Sequence, residues 1–144
     1  MGGVAGHAGL FSTAEDLSKL ASVLLNSGKN EDVSLFSQST FDAMITGVEV
    51  PSASKDQIQL RSLGWDKQSG YSSNRGKSMS ESAFGHGGFT GTAIWIDPEL
   101  KLYVIFLSNR VHPNGKGSVN SLAGEIGTIA ADWATQELRT SKTP

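Results

Sequence analysis

The chain has 144 residues, of which 38% are hydrophobic and 18% charged, a balance typical of a globular domain rather than a disordered segment. Its net charge of -2 gives no basic surface for nucleic acid or an anionic membrane. Cysteine is absent and no histidine pair has metal-ligand spacing on a helix. We therefore expect a single domain over 1–144, with no cofactor, no metal and no nucleic-acid partner.

The first predicted element is a helix near the N-terminus. Ser12 and Glu15 are spaced as in a capping box, in which each side chain bonds a free backbone N–H of the other residue. Apolar residues then recur at helical spacing, and Gly28 stands where a helix-ending glycine belongs. The apolar positions of this helix are Leu17, Leu20, Ala21, Leu24 and Leu25.

The middle of the chain alternates short elements with polar loops. A second helix is expected to start near Ser37 or Ser39 and to stop at Gly47. The run LRSLGWD predicts one short strand that contains Trp65, and residues 68–82 predict a long loop that could be mobile. The buried side of the second helix would consist of Phe41, Met44 and Ile45.

The last third of the chain predicts a hairpin followed by a long helix. The runs TAIWI and LYVIFLSN are joined by a short Asp-Pro turn and are apolar throughout, so helices should cover both faces of this hairpin. Ala123 and Ala130 would let the helix over about 118–138 approach closely. We expect an α+β fold, about three antiparallel strands in a sheet flanked by helices. The predicted buried stripe of the long helix is Val119, Leu122, Ile126, Ile129 and Trp133.

The sequence GHGGFTGT at 85–92 places a histidine among glycines at the start of a strand. Glycines at a strand edge let a ligand approach the backbone closely, so His86 could face a substrate and the Phe89 N–H could stabilise an oxyanion. His86 could equally be a structural residue that bonds its surroundings. The other histidines, His7 and His112, are interpreted as loop residues bonded to backbone.

A serine nucleophile activated by lysine has the pattern S-x-x-K on a helix, and the chain contains one such match, Ser52 to Lys55. This match follows Pro51 in a polar loop without helical periodicity. Because serines are numerous here, we interpret it as a chance match.

Several long stretches resemble the serine β-lactamase-related, penicillin-binding-protein-like hydrolases, in particular the class C β-lactamase and esterase branch. They are GHAGLFSTAEDLSKLASVLLNSG, LGWD, FGHGGFTGTAIWIDPELKLYVIFLSNRVHP and the final helix. The resemblance implies that His86, Gly87 and Gly88 are the third active-site motif, with His86 positioning the reacting carbonyl. It further implies that the Phe89 N–H is one oxyanion donor and that Gly87, Gly88 and Thr90 contact substrate.

Two motifs of the resembled family have no counterpart in place. Its S-x-x-K pair belongs upstream of the segment that matches here, and Tyr71 to Asn74 has one residue too many for its Y-x-N motif. The resemblance thus implies the C-terminal portion of a β-lactamase-like domain, inactive alone for want of a nucleophile. Two alternatives stay open: a non-catalytic module that binds cell-wall or peptide ligands, and a structural domain in which His86 is a satisfied edge residue.

Partners and location follow from the same resemblance. We expect a small-molecule or peptidoglycan-like substrate, the missing N-terminal half of the same domain as a partner, and a location in the periplasm or cell envelope. The start MGGVAGHAGLF does not fit a signal peptide and suggests a cut from a larger protein. Without the family's N-terminal strands, the strand LYVIFLSN would be an exposed edge, which predicts self-association.

Overall fold

The computed structural model describes residues 5–6, 8–31, 33–51 and 58–141. It confirms the α+β class, and no helix in these ranges is long and apolar enough to cross a bilayer. The helices are α1 Ala14–Leu25, α2 Gln38–Ile45 and α3 Asn120–Thr140. The strands are β1 Lys29–Asn30, β2 Val33–Ser34, β3 Val48–Glu49, β4 Leu60–Arg61, β5 Asp66–Gln68, β6 Phe84–Gly88, β7 Thr92–Asp97 and β8 Leu102–Phe106.

Local hydrogen bonds explain where the first two helices begin and end. The capping residue of α1 is Thr13, not Ser12 as predicted, and its hydroxyl accepts from the Asp16 N–H at 3.1 Å. Gly28 ends this helix with a φ of +81° and donates to the Val23 carbonyl at 2.8 Å, which confirms its predicted role. Helix α2 is capped by the Ser37 side chain.

The main sheet is larger than predicted, since β3 to β8 form six antiparallel strands in chain order, whereas about three were expected. The single strand predicted for LRSLGWD is wrong. Gly64, at a φ of +80°, turns the chain between β4 and β5, and Trp65 lies outside both strands. These strands have two or three residues each, so pairing with neighbours rather than an apolar run creates them.

The two faces of the β7–β8 hairpin carry two separate hydrophobic clusters, as the apolar runs predicted. Because side chains alternate along a strand, Trp95 packs toward α3 and its neighbour Ile96 packs toward α1. Phe84 of β6 joins the α1 cluster and meets the Trp65 ring edge-on at 5.3 Å.

The contact face of α3 differs from the predicted stripe. The face of α3 that carries small residues packs against the backbone of residues 73–76. The contact is close, since an added Cβ on Gly124 would lie 2.7 Å from the Ser73 carbonyl oxygen. This close backbone contact rotates the large apolar side chains outward, so the predicted burial is wrong for Leu122, Ile126, Ile129 and Trp133, which are 39–69% exposed. The buried positions of α3 are Ala123, Gly124, Gly127, Ala131 and Ala134.

The segment predicted as a long and mobile loop is the partner of this face. It contains a 3₁₀ turn at Ser72–Asn74, and both Asn74 and Met79 are buried. The Lys77 N–H donates to the Thr128 hydroxyl of α3 at 2.9 Å. This segment is therefore packed against α3, and its mobility stays a prediction.

Candidate active site

The glycine-rich motif lies at the end of β6, where the strand has one free edge. Among the described residues, β5 pairs with β6 only through Asp66 and Gly85, so the edge beyond Gly85 has no strand beside it. The Gly88 carbonyl accepts from the Gly91 N–H at 3.0 Å, which closes the turn to β7. Because the C=O and N–H of a trans peptide point in opposite directions, the Phe89 N–H, which shares its peptide group with the Gly88 carbonyl, points away from Gly91.

A cavity of about 560 Å³ opens along this free edge. His86, Gly87, Gly88 and Phe89 line it together, as the motif predicted, whereas Thr90 is not among the described lining residues. The Thr90 carbonyl instead accepts from the Arg110 N–H at 2.9 Å. The remaining lining residues are Arg61, Asp66, Tyr71, Asn74, Arg110, Gly117, Ser118 and Asn120.

Two hydrogen bonds fix the orientation and the tautomer of His86. Its Nδ1 lies 2.7 Å from the Gly87 carbonyl oxygen, which only accepts, so Nδ1 carries the proton. Its Nε2 lies 3.1 Å from Arg61 Nη2, which only donates, so Nε2 is the acceptor. The network therefore assigns a neutral imidazole to His86 and places a guanidinium directly beside it.

A glycine is required at position 87 because the buried side-chain amide of Asn74 packs directly against its backbone, beside the open edge of the strand. An added Cβ on Gly87 would lie 1.9 Å from Nδ2 of Asn74. The Asn74 Oδ1 in turn accepts from the buried Trp95 Nε1 at 2.9 Å. Asn74 is thus held between the core tryptophan and the strand that carries the motif.

Arg110 fixes the turn that follows the motif. Its Nε donates to the Phe89 carbonyl at 2.7 Å, and its Nη1 donates to the Gly115 and Gly117 carbonyls at 2.9 and 3.2 Å. The guanidinium carbon lies 4.2 Å from the centre of the Phe89 ring, a cation–π contact. These contacts hold the carbonyl and the ring of Phe89 and so fix the turn that follows Gly88.

Sequence reasoning missed Arg61, Asp66 and Arg110. Arg110 could have been found, because the β7–β8 register pairs Ala93 with Phe106 and so brings the residues after β8 beside the turn before β7. The other two come from separate strands, and nothing in their local sequence marks them. Tyr71 and Asn74, set aside on spacing, both reach the cavity.

The other residues considered from sequence lie elsewhere. The Ser52 to Lys55 match and His7 fall outside the described residues. His112 is exposed in the loop after β8. Within the described ranges, no group of three or more His, Cys, Asp or Glu side chains is arranged to hold a metal ion.

Comparison with known proteins identifies the family. The family model described as Beta-lactamase matches residues 1–126. The fold is similar to a crystal structure of a β-lactamase from Mycobacterium bovis, with a TM-score of 0.60 and 24% identity, over 86% of this chain and 45% of that one. The chain therefore belongs to the β-lactamase family and has its fold.

Curated relatives carry hydrolase names. The chain is 41% identical over 114 residues to the N-acetylmuramyl-L-alanine amidase of Bacillus subtilis (strain 168), covering 78% of this chain and 24% of that protein. It is 37% identical over 114 residues to a protein of Escherichia coli (strain K12) named "Putative D-alanyl-D-alanine carboxypeptidase", covering 78% and 25%. The chain thus belongs to a family of hydrolases and spans about a quarter of the length of these relatives.

Proposed function

We propose that this chain forms one wall of the active site of a serine hydrolase, which attacks an ester, amide or β-lactam carbonyl through an acyl-serine intermediate. The end of β6 carries the proposal, because the Gly88 carbonyl is bonded to Gly91 and the Phe89 N–H of the same peptide group therefore points away from Gly91, at the edge of the cavity that Phe89 lines. A fixed backbone N–H is the donor that a developing oxyanion requires. The nucleophile would come from outside these 144 residues.

In this proposal each residue of the motif has a separate role. The Phe89 N–H stabilises the oxyanion, and Arg110 is a positioning residue that holds the next peptide group of the turn by the Phe89 carbonyl. His86 orients the substrate carbonyl, with its ring held by Arg61 and by its own bond to Gly87. Asn74 and Thr92 occupy the places that side chains at Gly87 and Gly88 would take, so the substrate would lie along the free backbone edge of β6.

The names of the relatives support a peptidoglycan-like substrate. One is named for a muramyl-L-alanine bond and the other for a D-alanyl-D-alanine bond. Both names denote amide hydrolysis, which fits a site built to stabilise a carbonyl oxyanion. We accordingly propose a location in the cell envelope or periplasm, where such substrates occur, and fractionation of the source cells tests it.

Labelling with a serine-reactive probe tests the catalytic part of the proposal. Incubated with a fluorophosphonate and analysed by intact mass, the isolated chain should gain no adduct. An adduct that disappears in Ser52→Ala would show that the chain carries its own nucleophile and would contradict the proposal.

The parent protein provides the positive test. Its reading frame upstream of Gly2 should encode S-x-x-K, and fluorescent penicillin or fluorophosphonate should label that serine. His86→Ala should slow labelling by about a hundredfold, while His112→Ala, a histidine outside the cavity, should label normally. A parent that lacks S-x-x-K would favour the alternative, a non-catalytic module that binds cell-wall or peptide ligands in the same cavity.

We further propose that the surface formed by the edge strand β8 and the outer face of α3 binds the rest of the domain. A second copy of the chain would bind there when the rest of the domain is absent. Strand β8 ends the sheet of the described residues, and the outer face of α3 exposes Ile129 by 69% and Trp133 by 63%. Exposed apolar patches of this kind mark interaction surfaces. Light scattering should show dimers or larger species that Ile129→Lys/Trp133→Lys reduces, and a monomeric wild-type chain would contradict this.

A further inference from the structure

One carboxylate on the cavity wall is only half satisfied. Asp66 is 2% exposed and lines the cavity from β5. Its Oδ2 accepts from the Ser69 hydroxyl at 3.0 Å and from the Ser72 hydroxyl at 2.8 Å. Its Oδ1 is buried and has no hydrogen-bond partner in the described part of the chain. A buried carboxylate oxygen without a donor is unfavourable, so this atom requires an explanation.

The surroundings hold the carboxylate in place. The Ser69 N–H donates to the Ser72 hydroxyl at 2.8 Å, so the two serines brace each other as well as Asp66. Rotation of the carboxylate would break two hydrogen bonds. The neighbouring cation Arg75 uses its Nη2 on the carbonyls of Met79 and Ser80, and its Nε is likewise buried without a hydrogen-bond partner in the described residues. Asp66 is therefore held in one orientation, with one buried oxygen that no donor of the described residues bonds.

The same cavity contains two cations without acidic partners. Arg61 donates to His86, and Arg110 donates to backbone carbonyls. In the described ranges the ion pairs are those of Lys19 with Glu15 and Asp16, so neither arginine of the cavity is paired with a carboxylate. A ligand that complements this cavity has an anionic group for a guanidinium and an N–H donor for the free oxygen of Asp66.

We propose that Asp66 Oδ1 accepts a hydrogen bond from the ammonium group of a zwitterionic ligand, so that the cavity selects amino acids or short peptides with a free amino group. This inference rests on the proposed function and deepens it by naming the substrate class. A charged donor is favoured over a neutral amide because it bonds to a buried carboxylate in a low-dielectric site. Asp66 is a specificity-determining residue in this proposal.

Two dipeptides that differ only in the amino group test the proposal. D-Alanyl-D-alanine has a free ammonium group, and N-acetyl-D-alanyl-D-alanine replaces it by a neutral amide. Amide chemical shifts of the isolated chain, followed by NMR during titration, should show tighter binding of the free dipeptide by about tenfold. Its binding should shift the resonances of residues 66–72 in addition to those of 86–89.

Variants assign the effect to the carboxylate. Asp66→Asn keeps the shape and an acceptor for the serines but removes the charge, and it should abolish the preference for the free dipeptide over the acetylated one. Asp132→Asn is the matched control, since Asp132 is an exposed residue of α3 outside the cavity, and it should retain the preference. The wild-type comparison of the two dipeptides does not depend on the folding of any variant.

The outcomes separate this inference from the proposed function. Equal binding of both dipeptides, with shifts confined to 86–89, would overturn the ammonium site and leave the substrate cavity standing. A preference that persists in Asp66→Asn would also overturn the role of Asp66. Binding of neither dipeptide would contradict both this inference and the peptide-like substrate of the proposed function.

Discussion

Replacement of Gly87 by alanine tests the most tightly packed point of the candidate site. The new Cβ would lie 1.9 Å from Nδ2 of Asn74, a distance that a real Cβ does not tolerate, and 3.1 Å from its Cγ, a tight contact. Asn74 is 4% exposed and Trp95 is 1% exposed, so both side chains are enclosed by the core except where Asn74 reaches the cavity. The substitution must therefore displace Asn74 and break its 2.9 Å hydrogen bond with the Trp95 indole N–H.

Two contributions set the expected loss of stability. A buried indole N–H left without an acceptor costs about 1–3 kcal/mol, and an extra methyl group forced into a packed core costs about 1–3 kcal/mol. We expect Gly87→Ala to lower the free energy of unfolding by about 2–6 kcal/mol, which for a chain of this size lowers Tm by on the order of 10 °C.

Urea unfolding monitored by tryptophan fluorescence measures this loss, and a double-mutant cycle assigns its cause. Asn74→Ala removes the amide that blocks the new Cβ, so Gly87→Ala should cost much less in that background. The two substitutions should therefore be coupled by about 1–3 kcal/mol. Equal costs of Gly87→Ala in both backgrounds would refute the reasoning.

A neighbouring glycine provides the matched control. An added Cβ on Gly88 would lie 2.3 Å from the Thr92 hydroxyl oxygen, the end of a side chain that rotates away at small cost. Gly88→Ala should therefore cost less than about 1 kcal/mol. A loss as large as that of Gly87→Ala would show that the strand, rather than Asn74, rejects any side chain.

Two further predictions concern packing and pH. Gly76→Ala should destabilise the chain by more than about 3 kcal/mol in urea unfolding, because its Cβ would lie 2.4 Å from the backbone carbon of Gly127, whereas Gly70→Ala, with no atom closer than 3.9 Å, should be nearly neutral. Burial, and secondarily the charge of Arg75, lowers the pKa of Lys67 below its ordinary value of 10.5. Between the lowered pKa and 10.5 the unfolded chain binds more protons than the folded one, so stability from this residue rises with pH in that window. The unfolding free energy of wild type should thus rise relative to that of Lys67→Met from pH 7 to 10. A constant difference between the two would contradict the lowered pKa of Lys67.

The elements that local sequence determines were predictable. Helix α2 begins after Ser37 because a side-chain cap and an apolar stripe lie within a few residues of each other, and Gly28 ends α1 for the same kind of local reason. The β7–β8 hairpin follows from two apolar runs and a short turn. The grouping of His86 to Phe89 on one cavity wall also follows from sequence, since these residues are adjacent on one strand and its turn.

Tertiary contacts decided what local sequence could not. The two-residue strands β3 and β4 exist through pairing, and the contact face of α3 was chosen by backbone approach at Gly124 and not by its larger apolar side chains. The chemistry of the cavity was decided in the same way. Asp66 and Arg110 reach it from strands and loops far apart in the chain, because sheet register and packing, which depend on the whole fold, set the distances between them.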